Sequence, residues 1–186
     1  MPDRIANLII LAEDAEQQNL VRRYLERCGH NIGRNCRLVP LPAKSTGGSG
    51  EKYIRDHFPQ EVKACRSTLG RRASALLVVM IDADMQTTQQ RRSQLSDALK
   101  AAGMEERGED EPIVVLIPKR HVETWIRALS GIQVDEITDY KNPKPTPHEI
   151  RQAAETLQQW TRPGAAAGPT SSPSLTESIP EWRKVP

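Results

Sequence analysis

Cysteine is scarce in this chain. Its 186 residues hold three, Cys28, Cys36 and Cys65, and an odd number argues against the disulfide framework of a secreted protein. No CxxC pair is present, and Cys28, His30 and Cys36 match no standard zinc module. Reduced, partly buried thiols are the expectation. Aromatic residues make up only 4%. No apolar run approaches the roughly 18 residues a membrane helix needs. Neither sign of charge is in excess: 26 Lys and Arg face 24 Asp and Glu, a formal net charge of +2. That excludes a polybasic coat, so any phosphate contact must come from local clusters. The mean hydropathy of −0.59 fits a charged, solvated surface. Met1, Pro2, Asp3 and Arg4 lead straight into a strand-like run without a signal-peptide cleavage pattern; no membrane association and a cytoplasmic location are expected. No internal repeat is present.

What the chain does have is a set of short apolar runs alternating with helical patterns. Residues 5–12 read as a first strand, 37–41 as a second, 75–81 as a third and 113–117 as a fourth. Between them, helical spacing of apolar residues covers about 14–29, 51–69 and 88–102, followed by short and longer helices over 122–129 and 147–160. Gly29 supplies a helix stop, Pro147 suits a first helical turn, and Pro59 is expected to kink its helix or start a new turn. Continuous apolar strands alternating with helices imply a three-layer, Rossmann-like α/β domain: about four mostly parallel strands with helices on both faces. Residues 1–160 form that domain. From 161 to 186 the composition turns to Pro, Gly, Ala and Ser, and a mostly disordered tail is expected, with Trp182 free to dock on a partner or back on the domain.

In parallel sheets, ligands bind beyond the carboxyl ends of the strands, and here those ends carry acids. The first strand runs into Glu13, Asp14 and Glu16. The third ends in Asp82, Ala83 and Asp84. Residues two apart in an extended segment point the same way, so Asp82 and Asp84 are expected to face one pocket. Close carboxylates repel unless a cation or proton joins them, and Mg²⁺ prefers such oxygen donors. The fourth strand ends in Lys119, Arg120 and His121, with Glu123 one helical step on. The Lys119–Arg120 pair suits phosphate. His121 reads as an exposed or helix-start residue. Arg22 and Arg23 are further candidate nucleic-acid contacts, or simply a solvated helix face. Lys44 and Ser45 precede Gly47, Gly48 and Gly50, the wrong order for a P-loop, and no GxGxxG follows the first strand.

Glu13 after one strand and the Asp82/Asp84 pair after a later one resemble a TOPRIM domain, the metal-binding module shared by topoisomerases, primases and the overcoming-lysogenisation-defect nucleases. The segment from Ile117 through Lys119, Arg120 and Glu123 to Trp125 resembles a further signature of small stand-alone TOPRIM-like proteins. The resemblance covers residues 5–141. It implies phosphodiester chemistry dependent on Mg²⁺ or Mn²⁺. Asp82 and Asp84 would hold the metal, with Glu13 as ligand or general acid/base. Glu123 would hold a second metal, and Lys119 would stabilise the transition-state phosphate. It also implies a nucleic-acid substrate, DNA or RNA, and an antiviral effector working with an ATPase partner, in an oligomeric assembly or not. Many family members have glycine after the first glutamate; this chain has Asp14.

Two other readings stay open. Glu13 and Asp14, Asp82 and Lys119 also resemble the acid pair, phosphoryl acceptor and lysine of a response-regulator receiver domain. The stretch from Asp14 to Asp82 is long for one. The third reading is a non-catalytic TOPRIM-like scaffold subunit.

Overall fold

The computed structural model describes residues 5–43, 49–71 and 73–186. The loop at 45–50 therefore falls outside the described residues except for Ser49 and Gly50. Strands β1 (Asn7–Ala12), β2 (Cys36–Leu38), β3 (Ala75–Met80) and β4 (Ile113–Leu116) form one sheet in the order β2-β1-β3-β4, every pair parallel. Helices α1 (Ala15–Arg27), α2 (Ile32–Asn35), α3 (Gly50–Gly70), α4 (Thr88–Ala101), α5 (Val122–Leu129), α6 (Pro147–Thr161) and α7 (Pro173–Trp182) complete the described elements. The expected α/β class, parallel sheet and strand count are all present.

The layering follows from strand alternation. Leu8 and Ile10 of β1, with Leu76, Val78 and Met80 of β3, face one side, where α1, α5, α6 and α7 pack. Ile9 and Leu11, with Leu77 and Val79, face the other, against α3 and α4. Both faces are covered, which is why the strands read as unbroken apolar runs. Helix α3 continues through Pro59. Proline removes one backbone donor there, but Ile54, Phe58, Val62 and Cys65 are all buried along the helix and anchor it on either side of the proline. Cys28, Cys36 and Cys65 are all free thiols. Among the described residues no helix is long and apolar enough to cross a membrane.

The expected disorder of 161–186 is overturned. Helix α7 starts after Ser172, and its Leu175, Ile179 and Trp182 lie buried in the same core as α1 and α6. Trp182 packs edge-on against Tyr24, with ring centroids 4.5 Å apart. Tyr24 Oη lies 3.0 Å from Thr161 Oγ1 and 3.1 Å from the Trp182 carbonyl. The segment 163–172 buries little apolar surface of its own; Ala167 packs against the core and Thr170 Oγ1 donates to the Ala128 carbonyl at 2.8 Å. The ordering comes from three apolar residues at helical spacing beyond it. The same helix covers the open edge of β4. Glu181 accepts the Val115 N–H at 3.0 Å, and Arg107, paired with Glu181 at 2.7 Å, donates to the Ile113 carbonyl. Two side chains thus satisfy the edge groups that would otherwise invite another strand.

Candidate functional site

The sheet order places the switch point between β1 and β3: the helix after β1 lies on one face and the helix after β2 on the other. Crevices at such points are where α/β sheets bind ligands. Ala12 and Met80 are register partners, so the chain leaves both strands side by side. The Asp82 N–H donates to Glu13 Oε1 at 3.1 Å. Gly50, at the start of α3, closes the other side; a Cβ there would lie 3.3 Å from Glu13 Oε2.

Asp82 and Asp84 share a pocket, though not by strand alternation. Asp84 leaves the extended region for a positive φ of 51° and bridges to Arg120, whose φ is 74°. The Asp84 N–H donates to the Arg120 carbonyl at 3.2 Å and the Ala83 N–H to the Pro118 carbonyl at 2.8 Å. The third strand's exit is thereby tied to the fourth's, and two non-glycine residues are held in a sparsely populated conformation, as at many functional sites. The two carboxylates meet at His121. Its Nδ1 lies 3.6 Å from Asp82 Oδ2 and 3.4 Å from Asp84 Oδ1, just beyond hydrogen-bond reach. His121 does start α5, but it is buried, not exposed. Asp82 is 2% exposed while the Asp84 side chain is 41% exposed, which makes Asp84 the open side of the pocket.

Arg91 is a residue the sequence pattern concealed. It is the fourth residue of α4, among polar neighbours, yet it is buried. Its Nε donates to the Asp82 carbonyl at 2.9 Å, and its guanidinium pairs with Glu51 at 2.9 Å and approaches Asp84 at 3.7 Å. The Asp-Ala-Asp turn is therefore held from beneath by α4 and by the first turn of α3.

Electrostatics mark the acids as one group. Burial, then the charges of Asp82 and Asp84, push Glu13 up to about 9. Burial raises Asp82 well above the usual carboxylate range, with Asp14, Glu123 and Asp84 adding to it. Burial is also the main cause that raises Asp14 and Glu123. His121 is lowered by burial and by Lys141, which favours the neutral ring. Asp14 also caps α1, accepting the Gln17 N–H at 2.8 Å.

The remaining candidates are placed less centrally. Lys119 directs its ammonium to the Gln86 carbonyl and its N–H to Ser174 Oγ. Arg120 rests its guanidinium on Met85. Arg23 pairs with Glu26 at 2.9 Å. Arg22 and Arg23 lie about 12 Å or more along the α1 axis from Asp14, so the structure does not bring them to the acids. Glu16 pairs with Lys144 at 3.1 Å.

Among the described residues no three His, Cys, Asp or Glu side chains stand ready-made around a metal position. The donor chemistry nonetheless fits a hard divalent cation. Asp82 Oδ1, Glu123 Oε2 and His121 Nδ1 are buried without hydrogen-bond partners, inside a set of mutually repelling carboxylates. Buried polar atoms are rarely left so, and a divalent oxygen-seeking ion satisfies such groups. No family model matches the chain, and no curated protein or solved structure matches it.

A pH dependence follows. Glu13 and Asp82 keep their protons in the fold at pH values where the unfolded chain has released them. Their contribution is complete below the ordinary carboxylate pKa and is lost as pH rises through the raised folded values. In EDTA, the melting temperature is expected to fall between pH 5 and pH 9. Mn²⁺ is expected to restore it at the alkaline end by supplying the charge the protons carried. Glu111, held low mainly by its hydrogen bonds from Arg66, stays ionised across this window and adds no slope. A flat thermal profile in EDTA between those pH values would contradict the assignment.

Proposed function

We propose that this chain is a Mg²⁺- or Mn²⁺-dependent nuclease subunit that hydrolyses phosphodiester bonds in nucleic acid. One observation carries the reading: acids from the exits of β1 and β3 and from α5 lie together at the sheet's switch point, and the two buried ones, Asp82 and Glu123, each have an oxygen without a partner. Asp82, Asp84 and Glu13 would hold the metal, with Glu123 and His121 beside them. When bound, a divalent ion there would polarise a phosphoryl oxygen and lower the pKa of a water. The chain's own residues do the rest. Arg91 fixes the turn that presents both aspartates. Glu13, fastened by the Asp82 N–H, would be ionised once a divalent ion takes the place of its proton; it could then accept the proton of the water that bonds to phosphorus and pass it to the leaving sugar oxygen as that bond breaks. The further reading, an antiviral effector in the cytoplasm acting with an ATPase partner, rests on the TOPRIM resemblance of residues 5–141.

The test is cleavage of plasmid DNA and total RNA by the full chain, with Mg²⁺, Mn²⁺ or EDTA. Glu13→Gln and Asp84→Asn are expected to lower the metal-dependent rate by about 100-fold or more while leaving the circular dichroism spectrum intact. Equal rates for wild type and both variants would end the proposal. The receiver-like reading gains from the strand order β2-β1-β3-β4, which receiver domains share in part. It loses from the burial of Asp82, whose carboxylate is 2% exposed and closed to a phosphodonor. Labelling of Asp82 by acetyl phosphate would favour it.

A further inference from the structure

Beside the acids lies a surface of a different chemical kind. Gln86, Gln89, Gln90, Ser93 and Gln94 line a hollow of about 340 Å³. Their spacing, three, four, seven and eight residues beyond Gln86, places them in one stripe along the turn after β3 and the first turns of α4. None of the five is charged, in a chain where 27% of the residues are.

The hollow and the acid pocket share a wall. Gln86 follows Asp84 by two residues, and its main-chain carbonyl takes the Lys119 ammonium. Gln94 Oε1 accepts from Arg91 Nη1 at 2.8 Å, and the other end of that guanidinium approaches Asp84 at 3.7 Å. One buried arginine therefore touches both the hollow and the open side of the acids.

The side chains divide their hydrogen-bonding groups in a particular way. Gln90 spends its oxygen on the Thr87 N–H at 2.9 Å, and Gln94 spends its oxygen on Arg91. A carboxamide used in that way has its nitrogen left to donate. Gln86 is the converse: its Oε1 is buried and takes no hydrogen bond, an acceptor of the kind proteins rarely leave unfilled. Gln89 is exposed and offers both halves of its amide. The hollow thus presents neutral donors and an acceptor side by side.

That chemistry selects the occupant. Phosphate and metal ions are held best by charged partners, which the hollow lacks. Glutamine amides match the planar edge of a nucleobase, where donors and acceptors alternate. No aromatic side chain lines the hollow, so the base is gripped by its edge and not by stacking. A base splayed out of a single strand has its edges free for such a grip.

We propose that this glutamine-lined hollow holds an unpaired nucleobase of the substrate strand next to the scissile phosphate, which makes single-stranded nucleic acid the substrate class. The inference deepens the metal-dependent phosphodiesterase reading of the neighbouring acids and rests on it.

The experiment uses the full chain as wild type, Gln86→Met, Gln89→Met, Asp82→Asn, and Gln152→Met as an exposed control on α6. Methionine keeps the length of glutamine and removes the amide. The probes are fluorescein-labelled octadeoxyadenylate, an abasic octamer with the same phosphates, and a hairpin duplex, each with Ca²⁺; Mn²⁺ affinity is read by calorimetry. Wild type is expected to bind octadeoxyadenylate about 10-fold more tightly than the abasic strand, the scale of one well-made amide–base pair, and the hairpin no more tightly than the abasic strand. Gln86→Met and Gln89→Met are each expected to lose most of that difference while keeping wild-type affinity for the abasic strand and for Mn²⁺. Gln152→Met changes nothing. Equal wild-type binding of the adenine and abasic strands, a difference that survives in either glutamine variant, or a hairpin bound as tightly as octadeoxyadenylate overturns the inference and leaves the metal reading standing. Equal losses on both strands also overturn it, since the glutamines would then be shaping the acid pocket and not holding a base. If wild type and Asp82→Asn bind Mn²⁺ alike, the metal reading itself fails and the inference falls with it.

Discussion

Asp82→Asn is expected to abolish metal-dependent cleavage and, in the metal-free protein at pH 8, to raise the melting temperature. The two effects have one cause. Asp82 is 2% exposed, its Oδ1 has no hydrogen-bond partner, and Asp14, Glu123 and Asp84 all oppose its ionisation. A buried carboxylate must be paired or protonated, and at pH 8 holding a proton costs the fold free energy. Asparagine has the same shape and no charge. It leaves the Asp82 N–H bond to Glu13 and the carbonyl bond from Arg91 in place, since both use main-chain atoms at residue 82. A gain of about 1 kcal/mol or more is expected, the common size for relieving a strained functional site; each kcal/mol corresponds to roughly 2–4 °C in a protein of this length. Mn²⁺, which is expected to stabilise the wild type, should leave the variant's melting temperature unchanged. Scanning calorimetry with and without Mn²⁺ checks both halves. A variant less stable than wild type in EDTA would show that the Asp82 carboxylate supports the fold and is not held for a ligand.

The same residue shows how far the sequence could be read. That Asp82 and Glu13 lie together was legible, because both follow unbroken apolar strands and the sheet rule places strand exits at one end. That Asp84 joins them was expected for a different reason from the real one. Strand alternation does not survive past Ala83; the backbone bridge between Asp84 and Arg120 and the position of His121 bring the carboxylates together. Such a bridge joins residues far apart in the chain and leaves no local pattern. Arg91 was missed on the same ground. It sits in a polar helix, and only tertiary placement distinguishes it from a solvated charge. Lys119 was the reverse case: its position after a strand was right, but the Gln86 carbonyl, invisible in sequence, takes its ammonium. The helix periods held well where an apolar stripe ran for several turns, as at Leu20, Val21, Tyr24 and Leu25. They failed for α7, whose stripe of Leu175, Ile179 and Trp182 is short and follows a stretch of low complexity.

That short stripe leads to the largest expected loss of stability. Trp182→Ala is expected to cost about 3–5 kcal/mol, the range for removing a fully buried large aromatic. Trp182 is 0% exposed and packs on Tyr24, so its removal opens a cavity between α1, α6 and α7. The neighbouring Glu181 would then lose its hold on Val115 and Arg107, and the edge of β4 would be left with unpaired main-chain groups, a template for aggregation. Ser174, at the start of the same helix, accepts the Lys119 N–H at 3.0 Å and Trp125 Nε1 at 2.8 Å, and its own N–H donates to Glu136 at 2.8 Å. Loosening α7 therefore also loosens the turn after β4 and the connection between α5 and α6, which Ser174 holds at Glu136. Trp182→Phe separates packing from hydrogen bonding. Trp182 Nε1 is buried with no partner, so phenylalanine gives up no hydrogen bond and is expected to cost less than half as much as alanine. Urea titrations of the three proteins decide the matter. If Trp182→Ala unfolds within 1 kcal/mol of wild type, on the order of a surface substitution, α7 is not part of the cooperative core, and the coupling from the C-terminal helix to the site fails with it.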